Sequence, residues 1–213
     1  MEQWAFIFLQ DRCTGCGTCI MACKAWNHLR RSDAAVYPLD RIGSIPPYLA
    51  EADDARGTMQ ENWRQVTTRE EGTCPTDIRI THLSFSCMHC TSPACVTACP
   101  KSRLIKEPLY GVVMSDPAKD CISCGLCRKA CPWEAPQLCR LGNVRTPMTK
   151  CDFCYGRIRQ GLKPACVAAC PMRALVSGPE NELLAEFPGA ISIMDLSGNP
   201  SRTGPHFWLI PRK

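Results

Sequence analysis

The chain has 213 residues, 45% of them hydrophobic, with 18 cysteines and a formal net charge of +5. That length supports one medium domain or two small ones. Pro, Asp, Lys or Arg interrupts every apolar stretch before it reaches the roughly 20 residues that cross a bilayer, and Met1-Glu-Gln-Trp-Ala-Phe6 has neither the basic stretch nor the apolar core of a leader, so we expect a soluble polypeptide with no export signal of its own.

In chain order, Trp4 to Leu9 is an apolar run that predicts a buried strand. It enters the first cysteine group, Cys13, Cys16, Cys19 and Cys23, spaced C-x2-C-x2-C-x3-C. The 63 residues before the next group contain Pro46-Pro47, the acidic Glu51-Ala-Asp-Asp54 and Gly57, and predict a loop-rich insertion over 31–75. Ile78 to Phe85 predicts a second such strand, leading into Cys87, Cys90, Cys95 and Cys99. A short strand is expected at Gly111-Val-Val-Met114, before the third group, Cys121, Cys124, Cys127 and Cys131. The fourth group is Cys151, Cys154, Cys166 and Cys170. Pro179 then opens a short helix containing Leu183, Leu184 and Phe187. A tail punctuated by Gly and Pro runs on to Lys213, expected to strap across the domain or to dock on a partner.

All four groups begin with C-x2-C and end with C-x3-C, which is an internal repeat. Three thiolates spaced this closely on a loop wrap three corners of a cubane iron–sulfur cluster, while a fourth, expected at the start of a helix, points elsewhere. In two-cluster bacterial ferredoxins that fourth cysteine ligates the other cluster. Gly15, Gly17 and Gly125 suit loops whose backbone approaches sulfur and takes positive φ. Pro100, Pro132 and Pro171 follow the last cysteine of groups two, three and four, whereas group one has Lys24, which changes the local turn. Groups two and three lie close in the chain and form one pair, which leaves groups one and four for each other. This nesting predicts four ligand sets: Cys13, Cys16, Cys19 and Cys170; Cys23, Cys151, Cys154 and Cys166; Cys87, Cys90, Cys95 and Cys131; Cys99, Cys121, Cys124 and Cys127. Sequential pairing, one with two and three with four, is the alternative.

Structural zinc is the chemical alternative, but a third thiolate in C-x2-C-x2-C has no place in a tetrahedral site built from two pairs. No C-x-x-C-H occurs, so covalent haem is not expected. His89 lies between two ligands and is read as structural; His28, His82 and His206 fall in no pattern. Cys74 and Cys139 stand outside the groups as spare thiols, a disulfide between them being the other reading. Trp133 is read as packing. No nucleophile–base pair, dinucleotide fingerprint or P-loop is present, and no catalytic residue is assigned. Bound iron also reverses the charge: four oxidised clusters with their thiolates add about −8 and bring the total to about −3. A nucleic-acid surface is therefore not expected. Lys24, Arg128, Lys129, Lys150 and Arg173 lie near the ligands and offset that negative charge.

The segments CTGCGTC, LSFSCMHC, CPWEAPQ, MTKCDFC and KPACVAACPMRAL resemble the four-cluster iron–sulfur subunit of dimethyl sulfoxide reductase and related molybdenum oxidoreductases. The resemblance covers about residues 1–180 and includes all sixteen grouped cysteines. It implies an α+β fold of two ferredoxin-like bicluster units related by pseudo-two-fold symmetry, with loop-rich insertions and an extended C-terminal tail. The first unit is 1–30 plus 140–178, the second 76–139, and 179–213 is expected to be a partner-docking tail. The resemblance also supports the nested pairing. Some relatives have Trp in place of the second cysteine of group three and hold a three-iron cluster; Cys124 here implies four [4Fe-4S] clusters. Such a subunit is a non-catalytic relay for anaerobic respiration, carrying electrons between a molybdopterin catalytic subunit and a membrane anchor that exchanges them with quinol. The complex is membrane-associated, cytoplasmic or exported folded with a twin-arginine partner. A polyferredoxin of a hydrogenase, formate dehydrogenase or nitrite reductase system, and a non-redox zinc-binding interaction module, are the competing readings.

Overall fold

A computed structural model of the chain describes residues 2–29, 62–73, 77–138, 140–141, 144–194 and 203–212. The elements run β1 (Trp4–Leu9), α1 (Thr18–Trp26), β2 (Gln65–Glu71), β3 (Arg79–Phe85), α2 (Ala94–Thr97), β4 (Leu104–Lys106), β5 (Val113–Ser115) and α3 (Leu126–Ala130). They continue with β6 (Arg140–Leu141), β7 (Val144–Arg145), α4 (Tyr155–Ile158), α5 (Ala165–Ala168), β8 (Leu175–Pro179), α6 (Glu180–Glu186), β9 (Ile191–Ser192) and β10 (Phe207–Ile210). This is a mixed frame of helices and strands, as expected.

A four-stranded sheet in the order β8-β1-β10-β9 ties the two ends of the chain together. β1 is apolar at nearly every position because both of its faces are covered. Phe6 and Phe8 share one core with Phe153, Phe207 and Leu209, whereas Ala5, Ile7 and Leu9 pack with Leu183 of α6 on the other face. The alternation is the two-residue period of a strand. Phe6 stacks on Phe153 with ring centroids 4.1 Å apart, which brings the fourth cysteine group's loop onto the first strand.

The end of the C-terminal tail straps across the domain, one of the two courses expected of it: β10 lies parallel to β1, from Phe6 opposite Phe207 to Leu9 opposite Ile210. Phe207 and Leu209 are fully buried there, so the tail's end is an inner strand of the sheet. Other expectations are corrected. The insertion over 31–75 carries regular structure at its far end, where β2 pairs antiparallel with β3 from Gln65–Phe85 to Glu71–Arg79. The segment Ile78 to Phe85 is not buried along its length; Ile78, just before β3, and Ile80 are 49% and 41% exposed, because the distal half of this hairpin extends away from the core. The short strand before group three begins at Val113, not Gly111, which turns at φ +64 to let β5 pair with β4. Pro46, Pro47, Glu51 to Asp54, Gly57, Cys74 and Cys139 lie outside the described residues.

Phe207→Ala removes a ring from the centre of this sheet and is expected to cost about 3–5 kcal/mol. Denaturant unfolding of the iron-loaded chain measures it, and a loss below about 1 kcal/mol would show that the sheet does not depend on the tail.

Candidate metal centres

Each cysteine group is built around a short helix. Cys19, Cys95, Cys127 and Cys166 each occupy the second residue of α1, α2, α3 and α5. The fourth cysteine, four residues on, therefore lies inside α1 as Cys23 but at or just past the C-terminal end of α2, α3 and α5 as Cys99, Cys131 and Cys170, and not at a helix start, which corrects the expectation above. Four helical residues advance about 6 Å along the axis, so consecutive thiols are presented to two neighbouring sites. Pro100, Pro132 and Pro171 stop the helices after four or five residues, since proline cannot continue them. With Lys24 in that place, α1 runs on to Trp26, nine residues in all. Gly17 and Gly125 precede α1 and α3 at φ +73 and +78, a left-handed conformation that lets the loop turn sharply between the second and third cysteines.

All sixteen grouped cysteines are free thiols. Cys13 is acted on by Cys19, Cys170 and Cys16, and these four line one hollow open to solvent. Cys23 is acted on by Cys166 and Cys154, and Cys151 by Cys23 and Cys154, in a second gathering whose four members are all buried. Cys95 is acted on by Cys87, Cys131 and Cys90. Cys127 is acted on by Cys99, Cys121 and Cys124, and these four line another hollow open to solvent. We number these gatherings sites one to four. They adjoin in that order: Cys19 and Cys166 act on each other across sites one and two, and Cys151 and Cys87 across two and three. Cys95 and Cys131 share an apolar cluster with Cys121 and Cys127, which joins three to four. Among the sixteen grouped cysteines the exposed ones are Cys16 and Cys124, at sites one and four.

Polar support for the sulfurs comes mostly from backbone. The amides of Arg103, Met148, Phe153 and Ala174 donate to Cys99, Cys121, Cys151 and Cys170 at 3.3, 3.3, 3.4 and 3.3 Å. Burial pushes the Cys99 thiol up, but the amides of Arg103, Lys101 and Leu104 outweigh it and the group lies below its ordinary value. Two buried cations add to this. Lys150, 3% exposed, donates to the carbonyls of Val113 and Cys151. Burial opposes its charge, yet the thiols of Cys87, Cys151 and Cys95 hold its pKa above the ordinary lysine value, at the junction of sites two and three. Of the five basic residues expected to offset thiolate charge, Lys150 alone is buried. Arg64, 1% exposed, has the same relation to sites one and two; no cysteine spacing pointed to it.

His89 is buried at φ +45, and its Nδ1 accepts the Val113 amide at 3.0 Å. Burial, then Lys150 and Lys106, hold its pKa well below the ordinary value, so the ring is a neutral pin between the group-two loop and β5. Lys106 anchors the same loop by donating to Cys90 O at 2.8 Å. The tail closes it from the other side: Thr91 and Ser92 donate to Gly204 O and Thr203 O at 2.8 and 2.9 Å, and His206 donates to Met88 O at 2.9 Å. The His206 side chain joins Thr91 to Glu180, contacts no motif announced. Trp133 packs half-buried against the main core.

The donor set fits polynuclear iron. Among the described residues no three His, Cys, Asp or Glu side chains close on one point as they do around a single ion; the four thiols at each end stand instead around a hollow. Four sets of four thiols in series on this frame define a ferredoxin-type iron–sulfur protein, whose cofactors are [4Fe-4S] clusters. Residues 4–25 match the family model described as a 4Fe-4S binding domain, and residues 78–180 the one described as a 4Fe-4S dicluster domain. A component of the anaerobic dimethyl sulfoxide reductase of Haemophilus influenzae is 36% identical over 196 residues, 92% of this chain and 83% of that one. Its counterpart in Escherichia coli K12 is 37% identical over 85% of this chain and 76% of its own length. A component of the sulfite dehydrogenase of Allochromatium vinosum is 34% identical over 86% and 73%. This protein belongs to the family of the dimethyl sulfoxide reductase iron–sulfur subunit.

Burial, the main cause in each case, pushes Cys23 and Cys95 up to about 12 and Cys90, Cys127 and Cys154 up to about 11, from an ordinary 9.0. Stripped of iron, the fold keeps these protons to higher pH than the unfolded chain does. Its stability is thus full below the unfolded thiol pKa and is lost as pH rises through the window from 9.0 towards about 12. The urea midpoint of iron-free protein is expected to fall between about pH 8 and about pH 11; a rise over that range would contradict burial as the cause.

Proposed function

We propose that this chain is the electron-transfer subunit of a molybdenum oxidoreductase, relaying single electrons between a quinol-linked membrane subunit, or another donor, and a molybdopterin catalytic subunit. The observation that carries the reading is the unbroken succession of four thiol sets with an exposed cysteine at either end, Cys16 and Cys124. The names of the relatives, components of a sulfoxide reductase and of a sulfite dehydrogenase, support a partner that does the chemistry. The chain itself contributes no catalytic residue. Among the described residues no helix is long and apolar enough to cross a membrane, and the complex meets the membrane through another subunit.

The ligand sets follow the nested arrangement. Cys13, Cys16, Cys19 and Cys170 hold the cluster of site one, and Cys23, Cys151, Cys154 and Cys166 that of site two. Cys87, Cys90, Cys95 and Cys131 hold the cluster of site three, and Cys99, Cys121, Cys124 and Cys127 that of site four. Sites one and two form one bicluster unit, 1–30 with 140–178, and sites three and four the other, 76–139, related by a pseudo-two-fold axis. The paired amide contacts Arg103 to Cys99 and Ala174 to Cys170, each four residues apart, support that symmetry. Bound clusters supply one-electron redox chemistry. The protein's part is to cage them rigidly, to exclude water from the inner sites, and to set their potentials through amide contacts and nearby charge.

Affinity purification of the full chain from its native cells is expected to bring down a large molybdopterin subunit, identified by mass spectrometry; recovery with a hydrogenase instead would replace this reading. Cys131→Ser is expected to perturb the site-three cluster, although Cys131 belongs to the third sequence group. EPR spectra that lose only the cluster bound by Cys121, Cys124 and Cys127 would overturn the assignment.

A further inference from the structure

Arg64 stands just before β2, and it is almost wholly enclosed. Its Nη1 donates to Ser84 Oγ at 3.2 Å and to Ser84 O at 3.4 Å, and its Nη2 to Ser86 Oγ at 3.0 Å. Its Cζ lies 4.7 Å above the Phe6 ring, while its Nε has no partner among the described residues. Among the described residues no carboxylate pairs with it. Such a charge is expensive to bury without an anion. The anion is supplied by sulfur: Ser84 Oγ, which takes the guanidinium's hydrogen bond, is also 3.3 Å from Cys19 Sγ. The thiols that act on Arg64 most are those of Cys166, Cys19, Cys151 and Cys23, one from site one and three from site two.

We propose that Arg64 is the built-in counter-charge of sites one and two, and that it holds the midpoint potentials of both clusters above those that burial alone would set. The inference rests on the ligand sets proposed above. One electron, delivered by the redox partner, takes a cubane core from about 2+ to about 1+, and cluster plus thiolates from about 2− to about 3−, with no proton needed. A fixed positive charge stabilises the more negative form more strongly. Burial acts in the opposite sense, since it penalises the more highly charged form. Arg64 is thus a positioning residue for charge: it touches no substrate and changes no ligand. A merely structural arginine, clamping β3 to Phe6, would leave the relative potentials of the four clusters alone.

The test is an EPR-monitored redox titration of the iron-loaded full chain, purified with its partner, as native protein, Arg64→Gln and Arg64→Lys. Signals are assigned with Cys16→Ser for site one and Cys131→Ser for site three. In Arg64→Gln, the reduced-to-oxidised ratio of clusters one and two at the native midpoint is expected to fall at least tenfold, equal to about 59 mV for a one-electron couple. Clusters three and four are expected to move less than about twofold, and Arg64→Lys to keep all four close to native. Unmoved or raised potentials at sites one and two, a uniform fall at all four, or a fall in Arg64→Lys as large as in Arg64→Gln would overturn the proposal. Should Arg64→Gln fail to load iron, Arg64→Lys decides alone: native potentials support the counter-charge, and a tenfold fall refutes it. Native protein without four [4Fe-4S] signals would sink the cluster reading and this proposal with it; native signals with potentials indifferent to residue 64 would sink this proposal only.

Discussion

Negative charge held away from water is the constraint on which this molecule turns. Sixteen thiols are gathered into a chain of 213 residues, and the inner sets are enclosed by apolar side chains. Iron cancels only half of the thiolate charge, so the remainder falls to the protein. Amide donors from turns, a buried lysine at one junction and a buried arginine at another all serve that end. The core is accordingly interleaved with sulfur: Cys19, Cys90 and Cys166 lie in the main apolar cluster with Phe6 and Phe207, and Cys95 and Cys127 in a smaller one. The β1 sheet, which forms part of the main cluster, holds the ends of the chain together.

Local chemistry was legible where one residue decides the outcome. The prolines after Cys99, Cys131 and Cys170 end their helices, and Lys24 lets α1 continue to Trp26. The strand at Trp4–Leu9 could be read from its unbroken apolar run, and the turn at Gly17 from its lack of a side chain. The fourth cysteine's place was misjudged because spacing fixes the distance along a helix without saying where the helix begins.

Non-local pairing was much less legible. Nothing in Phe207-Trp-Leu-Ile210 says that it will lie beside Phe6, at the other end of the chain, rather than against another protein. A four-residue apolar segment fits either fate, and only the vacant edge of β1 decides between them. Gln65–Glu71 failed to read as a strand for a related reason. It is polar along much of its length and takes its order from the ladder with β3, not from burial. Arg64 was missed because a lone arginine carries no periodicity. Its meaning comes from Ser84 on the facing strand, from Ser86 just beyond that strand, and from sulfurs contributed by both halves of the chain.

The parallel pairing of β10 with β1 has a consequence for assembly. The last of the grouped cysteines, Cys170, is synthesised before Thr203 and Gly204, whose carbonyls receive the amides of the group-two loop, and before the strand that completes the sheet. During synthesis there is therefore an interval in which every ligand has been made while the frame around them is still open. Non-local strand pairing is slow compared with local helix formation, which lengthens that interval. The final segment is thus the last part of the frame to be placed: its carbonyls and its strand secure the group-two loop and β1 only once every grouped cysteine is in the chain.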